Sequence, residues 1–350
     1  MTDNKKEALA SNTGQNSQPL SEGLTVKVDT IAGVCRNIRD LGDAYAVITL
    51  LEKTFNDSVD FHPDEPTYMG KKWDGHSVAS VRGLRFWWKK PTDHESGQLY
   101  VYAGGQVLSA ATHKAAHDAF TWLGYQYGFV GKRFDVAIDD YDKGTPLEQV
   151  EAAAIEGNYA YCASHQIVES ARRGENPGRT IYFGSPKSDK RVRCYDKSIE
   201  SDGQIDAIRW EVQLRDVKAD YAITRWLALD PGQLETEGVK FLASVVTGGV
   251  HLCDRSDEEK NIDRCDVLPF WADFLQRTAE GVRIPCPKKA PLLERSLTWL
   301  QNQVAPTLGV IRRVFGEGFE TYIQTLIDSG EDRHGARHRA LIALAHSEGW

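Results

Sequence analysis

A tyrosine set among basic residues is the feature of this sequence with the most evident chemistry. The stretch RVRCYDK, residues 191–197, alternates as a β-strand would, so that Arg191, Arg193, Tyr195 and Lys197 share one face. A free tyrosine has a pKa of about 10, and cations two residues away on either side favour its phenolate. Attack of that phenolate on a phosphodiester forms a covalent phosphotyrosine, which conserves the energy of the broken bond. These residue types make Tyr195 a candidate nucleophile assisted by Arg193 and Lys197, although a tyrosine on a strand is also common for packing reasons alone.

Two further stretches carry carboxylates on a polar strand face. Residues 133–140, RFDVAIDD, place Asp135 and Asp139 on one face, and residues 208–215, IRWEVQLR, place Glu211 there. Neighbouring strands lie about 4.8 Å apart, so acids from two strands could meet on a hard cation such as Mg²⁺ or Mn²⁺. The pattern thus predicts a metal site of Asp135, Glu211 and Asp139. Alternating arginines and acids also give ordinary cross-strand ion pairs, and the alternation leaves both interpretations open.

The elements that must position these residues predict an α+β fold. Strand-like stretches up to about residue 215 alternate polar and apolar residues, which is typical of an antiparallel sheet with one covered face. We expect a central antiparallel sheet with flanking helices and a mainly helical C-terminal region. The predicted organisation is a disordered arm over 1–25, an α+β domain over 26–225 and a helical region over 226–350.

Composition restricts the class of protein. The 350 residues are 41% hydrophobic and 26% charged, as in a globular protein, and no run of 18 apolar residues predicts a membrane span. The polar start has no secretory segment, and the six cysteines form no CxxC pair. We therefore expect reduced thiols and a cytoplasmic location, without membrane association.

The formal charge of −8 argues mildly against a nucleic-acid partner, but the charge is unevenly distributed. Residues 172–197 contain eight Lys and Arg against three Asp and Glu, so a local basic zone fits a phosphate-bearing partner. A solvated charged surface explains the same zone equally well. If the partner is DNA, the predicted phosphate contacts are Lys187, Lys190, Arg191, Arg172 and Arg173.

A pair of histidines has a spacing that can bind metal. His113 and His117 lie four residues apart on the predicted helix 110–128. No glutamate lies between them and no third ligand is near in sequence, so we interpret both as ordinary surface or core histidines.

Four motifs in order resemble a known family. The runs KRFDVAIDDYDKG, GRTIYFGSPKSDK, RVRCYDKSIE and IRWEVQLRDVKADYA resemble the replication initiation factor family of rolling-circle plasmids and filamentous phages. The resemblance covers about residues 100–225. It implies an enzyme that nicks and joins one strand of origin DNA, double-stranded or extruded as a hairpin, through a 5′-phosphotyrosine, which would be Tyr195.

The resemblance also implies partners and ligands. It implies a host helicase and polymerase, a homodimer, and metal held by Asp135 and Glu211, with Asp139 as a further ligand. The chain has Pro186 where relatives often carry arginine, and Lys187 would supply the charge instead. The sequence contains no H-x-H motif, so any metal must be held largely by oxygens. A metal-dependent endonuclease without a covalent intermediate and a DNA-binding regulator without enzymatic activity remain alternatives.

Overall fold

A computed structural model describes most of the chain. The described residues are 16–65, 73–170, 178–201, 203–255, 262–278, 297, 300–331, 333 and 342. In these ranges there is no helix with both the length and the apolarity needed to cross a membrane. Two compact units divide the chain, residues 1–286 and residues 287–350.

The first unit is built on a large antiparallel sheet, so the predicted α+β class is confirmed. Among the described residues, eleven strands join this sheet, in the order β3-β4-β5-β6-β2-β7-β12-β11-β10-β9 with β1 paired to β2. Strands β8 and β13 form a separate pair. The strand bounds are β1 Gln18–Ser21, β2 Leu24–Ile38, β3 Val59–His62, β4 Gly75–Ser80, β5 Arg85–Lys89, β6 Gly97–Ala103, β7 Phe129–Asp140, β8 Tyr159–Ala160, β9 His165–Ser170, β10 Gly178–Phe183, β11 Lys190–Asp196, β12 Ile208–Arg215 and β13 His251–Leu252.

Helices pack on this sheet and also occur in the second unit. The helix bounds in the described ranges are α1 Leu41–Phe55, α2 Gly105–Leu108, α3 His113–Tyr127, α4 Leu147–Glu156, α5 Lys197–Glu200, α6 Asp216–Leu227, α7 Val239–Thr247, α8 Pro269–Arg277, α9 Ala305–Phe315 and α10 Phe319–Glu331. Short π-helical turns occur at Leu234–Gly238 and Leu300–Val304, and short 3₁₀ turns at Ile262–Arg264 and Gly316–Gly318.

One face of the sheet forms the hydrophobic core. The apolar positions of β7, β11 and β12 alternate with polar ones and are buried. Helices α3, α6 and α7 pack on this face. Phe134 of β7 lies 5.9 Å from the Trp226 ring, and Trp210 of β12 lies 4.8 Å from the Trp271 ring of α8. The core therefore occupies the side of the sheet opposite the polar positions predicted to do chemistry.

The two histidines of α3 belong to this core. The indole N–H of Trp226 donates to Nε2 of His113 at 3.1 Å, and the two rings stack with centroids 5.5 Å apart. His117 is buried as well, and its Nε2 lies 3.2 Å from the Trp226 carbonyl oxygen. These contacts account for the helical spacing of the pair without a metal.

The predicted domain boundaries fall within elements of this fold. Residues 1–15 of the predicted arm lie outside the described residues, whereas 18–21 form β1 and pair with β2. The boundary at 225 falls inside α6, and α7 beyond it packs on the sheet. As a division by function, the boundary at 225 stays a prediction. In the second unit, α9 and α10 follow one another and Phe315 stacks on Tyr322 at 4.8 Å.

Candidate active site

The three strands with predicted site residues are direct neighbours in the order β7-β12-β11. Their register forms rows across the sheet, with Tyr195 opposite Arg209 and Arg209 opposite Asp139. In the next row Arg193 lies opposite Glu211. The prediction that these strands share one polar face is therefore confirmed, and the antiparallel register brings the tyrosine and Glu211 onto adjacent strands.

Tyr195 points to the polar side of the sheet. Its hydroxyl lies 3.4 Å from Oε2 of Glu211, at the long end of the hydrogen-bond range, and the residue is only 6% exposed. Strand β11 ends at Asp196, whose side chain caps α5, so Lys197 begins a helix and is not a strand residue as predicted. The Nζ of Lys197 nevertheless lies 5.8 Å from the centre of the Tyr195 ring and pairs with Glu200 at 2.6 Å.

The electrostatics of Tyr195 differ from the prediction. Burial, followed by the charge of Glu211, raises the pKa of its phenol well above the usual value, although Arg209 and Arg193 act in the opposite direction. Arg193 does favour the phenolate, as expected, but desolvation outweighs it, so the net shift of the Tyr195 pKa is opposite to the expected one. Tyr195 is therefore a neutral phenol that needs a proton acceptor. Its hydroxyl donates to Glu211, and Glu200 is a second carboxylate in hydrogen-bonding contact with Tyr195.

Glu211 is buried and held by an arginine. Arg193 donates from one guanidinium nitrogen to both of its oxygens, at 2.7 and 2.6 Å. Burial raises the pKa of the Glu211 carboxyl, and the negative charges of Asp29 and Asp135 raise it further, against the effect of Arg193. Glu211 therefore takes up a proton or a cation more readily than an ordinary carboxylate does.

Asp135 has a similar environment. Arg133 donates to it through Nε at 2.9 Å and through a terminal nitrogen at 2.6 Å. Burial raises the pKa of Asp135, Arg133 lowers it, and Asp29 raises it again, with a net shift upward. The side chains of Asp135 and Glu211 are each 1% exposed, whereas those of Arg133 and Arg193 are 35% and 36% exposed. The arginines thus form an outer layer over buried acids.

Asp139 differs from the other two predicted ligands. Arg209 binds it with Nε at 2.5 Å and with a terminal nitrogen at 2.7 Å, and both residues are fully buried. Burial alone would raise the pKa of Asp139, but Arg209 and Lys27 outweigh it and the pKa is lowered. Its charge is therefore already compensated, so that Asp139 acts in this structure as the structural partner of Arg209.

The donor set fits a divalent cation by its chemistry. Carboxylates are the ligands that Mg²⁺ and Mn²⁺ prefer, and the mutual repulsion of Asp29, Asp135 and Glu211 would be relieved by a positive ion. Each acid is paired with an arginine, however. Over the residues for which the structure gives positions, no three His, Cys, Asp or Glu side chains are arranged to hold a metal ion.

Sequence reasoning missed three members of this site. Lys27 is buried opposite Ala137, and Asp29 lies 3.3 Å from a terminal nitrogen of Arg209. Glu200 lies near enough to Tyr195 to influence the pKa of its phenol. The stretch LTVKVDT in β2 has the same alternation as the other strands, with Lys27 and Asp29 on one face, and this signal could have identified them.

The predicted phosphate contacts fall into three groups. Lys187 is exposed in the β10–β11 turn, and Arg191 lies on the polar face with its buried Nε lacking a described hydrogen-bond acceptor. Lys190 lies on the opposite side of β11 and donates to the carbonyls of Tyr161 and Gly249 at 3.1 and 2.5 Å. Its amine therefore joins backbone segments, and we leave it out of the proposed DNA contacts. Arg172 and Arg173 lie outside the described residues.

Tyr182 is a second phenol on the same face. It lies opposite Arg193 in the register, and the guanidinium carbon of Arg191 lies 3.8 Å from its ring centre. Tyr182 has no cation two residues away on its own strand, and the cation on its ring comes from the neighbouring strand instead. What separates the two phenols in the structure is the contact of Tyr195 with Glu211.

The second aspartate of the DD pair has a structural task. Asp140 accepts from the backbone N–H and hydroxyl of Thr145, and the Thr145 hydroxyl accepts from the Trp210 indole. The guanidinium of Arg277 donates to the other Asp140 oxygen at 3.2 Å and so connects α8 to the sheet. The two adjacent aspartates therefore make their contacts on opposite faces of β7.

Three comparisons bear on the identity of the chain. A family model described as "Replication initiation factor" matches residues 130–327. The chain is 26% identical over 237 residues to the putative DNA relaxase NicK of Bacillus subtilis (strain 168), covering 61% of this chain and 64% of that relative. A solved rolling circle replication initiator protein from Geobacillus stearothermophilus has a similar fold. Its TM-score is 0.55 at 22% identity, covering 76% of this chain and all of that one.

These matches agree with the fold and with the motif order seen in the sequence. The family model covers more than half of the chain and includes β7, β11 and β12 with their rows of site residues. The chain spans just under two thirds of the NicK relative, and the Geobacillus likeness bears on the fold. The chain belongs to the replication initiation factor family.

Proposed function

We propose that this protein initiates rolling-circle replication by nicking and rejoining one strand of origin DNA. The observation that carries the proposal is the contact between the Tyr195 hydroxyl and Glu211, on the strands that a replication initiation factor model matches. The names of the relatives, a putative DNA relaxase and a rolling circle replication initiator, fit the same activity. Origin DNA, double-stranded or extruded as a hairpin, is the proposed substrate.

The proposed reaction is a transesterification at Tyr195. The phenolic oxygen attacks the phosphorus, its proton passes to Oε2 of Glu211, and an O–P bond forms to tyrosine. The bond from phosphorus to the 3′ oxygen breaks, and that oxygen takes a proton from water to leave a 3′-OH. The phosphotyrosine conserves the ester bond, so attack by a 3′-OH reverses the sequence and rejoins the strand.

The outer arginines would receive the phosphate. Arg193 and Arg133 are each about one-third exposed and point their charge at buried acids. A DNA phosphate offers the same bidentate recognition as a carboxylate, so it can compete for these guanidinium groups. Arg191 is suited to bind the neighbouring phosphate. The charges of Arg215 and Arg193 repel its guanidinium, and no described residue accepts a hydrogen bond from its buried Nε. Lys187 extends this contact at the exposed turn.

A divalent metal, Mg²⁺ or Mn²⁺, is the proposed cofactor. Asp135 and Glu211, joined by Asp29, would hold it once phosphate has drawn their arginines away, and Asp139 would stay with Arg209. A bound cation would polarise a phosphoryl oxygen and stabilise charge in the transition state. Calorimetric titration of the Tyr195→Phe variant with Mn²⁺ tests this exchange. Tighter Mn²⁺ binding in the presence of origin oligonucleotide is expected, and equal affinity with and without DNA counts against it.

A metal-dependent endonuclease that activates water is the second candidate, and one observation favours it. Tyr195 is 6% exposed and its phenol is strongly disfavoured as an anion, whereas the acids could serve a water nucleophile. Incubation with an end-labelled origin strand and Mn²⁺, followed by a denaturing gel, separates the two. We expect a protein-linked DNA band. Cut strands with free ends alone would establish hydrolysis instead.

Partners beyond DNA follow from the family resemblance. A host helicase would unwind the nicked duplex, a host polymerase would extend the 3′-OH, and the initiator would act as a homodimer. Binding to supercoiled origin DNA without any cleavage would favour a DNA-binding regulator instead. Sedimentation with and without origin DNA tests the dimer, for which a mass of one chain in both conditions is the contrary result.

A further inference from the structure

Aromatic side chains occupy the polar face of the sheet at a distance from Tyr195. Trp87 of β5 lies opposite Tyr100 of β6, and Tyr102 of β6 lies opposite Ala32 of β2. Ala32 in turn lies opposite Arg133. The register therefore places Trp87, Tyr100 and Tyr102, named here the β5–β6 aromatic group, on the same face as the candidate active site.

The hydrophobic core does not require these three rings. Residues of the other parity in the same strands, Phe86, Trp88, Leu99 and Val101, are fully or almost fully buried and supply the core. The three rings of the group are half-buried on the other side. Trp87 meets Tyr100 edge to face, with centroids 5.4 Å apart and planes at 76°. Trp73 also meets Tyr100, with centroids 6.1 Å apart and planes at 65°, so neither neighbouring ring stacks flat on Tyr100.

Cations lie around this group. Arg85, exposed, is opposite Tyr102, and half-buried Lys89 follows Trp87 on the same face of β5. Tyr102 interacts electrostatically with Arg133, which binds Asp135 of the candidate site. Aromatic rings with cations beside them on an open strand face are the combination by which proteins hold unpaired bases and the phosphates between them.

We propose that the β5–β6 aromatic group is a binding subsite for the unpaired bases of single-stranded DNA. The identity of that DNA as the strand leading to the nick rests on the proposed function. The path β6-β2-β7-β12-β11 crosses four strand spacings, so Tyr102 and Tyr195 are at least about 19 Å apart. The group thus binds nucleotides several positions from the scissile phosphate.

This subsite lies outside the part of the chain that the family model matches. That model covers residues 130–327, whereas the group lies between 87 and 102. Duplex DNA cannot occupy it in the same manner, because its bases are stacked and their faces are hidden. The proposal therefore requires a difference between single-stranded and duplex DNA, and not only a loss of total charge.

Binding of fluorescent oligodeoxythymidylate by the full chain, measured by anisotropy in EDTA, tests the subsite without any cleavage. Trp87→Ala and Tyr100→Ala should each weaken binding by roughly 5- to 100-fold, the usual effect of removing one stacking ring. Trp87→Phe, which keeps a flat ring, should retain most of the affinity. Tyr125→Ala serves as the matched control, because Tyr125 is 85% exposed on α3, a helix that packs on the core face.

The outcomes separate this proposal from the proposed function. Equal affinity of the two alanine variants and the Tyr125→Ala control for oligodeoxythymidylate, with unchanged thermal unfolding, would overturn the subsite. An equal loss for duplex DNA of the same length would overturn it too, because charge would then explain the effect. A selective loss in the alanine variants, found together with a wild-type protein that forms no covalent adduct, would keep the subsite and reject the nicking proposal. If the alanine variants fail to fold, the comparison of Trp87→Phe with Trp87→Leu decides, with only the leucine variant expected to lose affinity.

Discussion

The hydroxyl of Tyr195 and the carboxylate of Glu211 lie 3.4 Å apart on adjacent antiparallel strands, with both residues almost completely buried. Burial raises the pKa of both groups. The charge of Glu211 adds to this effect at Tyr195, and the charges of Asp29 and Asp135 add to it at Glu211, so the anionic form of each group is disfavoured. The Tyr195 phenol, which does not readily ionise alone, therefore lies next to the Glu211 carboxylate, which readily accepts a proton. This pairing explains how a buried tyrosine could become a nucleophile.

Replacement of Glu211 by glutamine is expected to remove the proton acceptor while keeping the shape. Cleavage of an origin oligonucleotide should fall by roughly 10²- to 10⁴-fold, the usual contribution of a general base. DNA affinity in EDTA should fall little, and the neutral amide should leave Arg193 free to bind phosphate. A Glu211→Gln variant that cuts at the wild-type rate would exclude Glu211 from the chemistry.

Asp139 is expected to matter for stability more than for metal binding. The change Asp139→Asn leaves Arg209 buried without its charge partner, which costs about 3–5 kcal/mol in comparable cases. Urea unfolding should detect this loss. Asp135→Asn is the matched comparison, because its partner Arg133 is one-third exposed and can turn to solvent. If Asp139→Asn were as stable as wild type yet lost metal binding, the predicted ligand role would be restored.

The basic residues of β11 are expected to differ in the salt dependence of DNA binding. Arg191→Ala should reduce the slope of log affinity against log salt by about one, as expected for the loss of one phosphate contact. Lys190→Met should leave the slope unchanged and lower thermal stability, because its amine holds two backbone carbonyls. Reversed results for the two variants would mean that the strand face has been assigned incorrectly.

The sequence predicts those features of the site that depend on local interactions, and it fails for those that depend on the whole fold. Alternation along β7, β11 and β12 correctly predicts the shared sheet face, because the alternation of side chains along a strand is a local property. It does not predict the direction of the pKa shift of Tyr195, because burial depends on the whole fold. Likewise Asp139 and Asp135 look alike in sequence. Only the structure distinguishes the buried partner of Arg209 from the acid beneath partly exposed Arg133.

The same limit applies to residues from distant segments. The role of Lys190 depends on carbonyls of residues 161 and 249, and the cation on Tyr182 comes from the neighbouring strand. Asp29 lies far from Glu211 in sequence, and the pairing of β2 with β7 and of β7 with β12 brings the two acids together. Sequence spacing does not contain these contacts.

His113 is expected to make the stability of the core depend on pH. Burial and the charge of His117 lower the pKa of His113 to about 4, whereas the pKa of a histidine in the unfolded chain is about 6.5. Neutral His113 therefore stabilises the fold above pH of about 6.5, and this contribution is lost as pH falls toward 4. His113→Gln keeps an acceptor for Trp226 but does not titrate. Between roughly pH 7 and roughly pH 4, the range set by the unfolded and folded pKa values, the thermal unfolding midpoint of His113→Gln should change less than that of wild type. Equal changes of the midpoint with pH in the two proteins would contradict the assignment.

The covalent adduct with origin DNA tests the central claim most directly, using two tyrosines of the same face as a matched pair. Tyr195→Phe and Tyr182→Phe each remove one hydroxyl and keep the ring. With Mn²⁺ and an end-labelled strand, the account predicts a protein-linked band for wild type and Tyr182→Phe, and none for Tyr195→Phe, which still binds DNA. A full-strength band from Tyr195→Phe would contradict the account, and its loss in Tyr182→Phe alone would transfer the nucleophile to Tyr182.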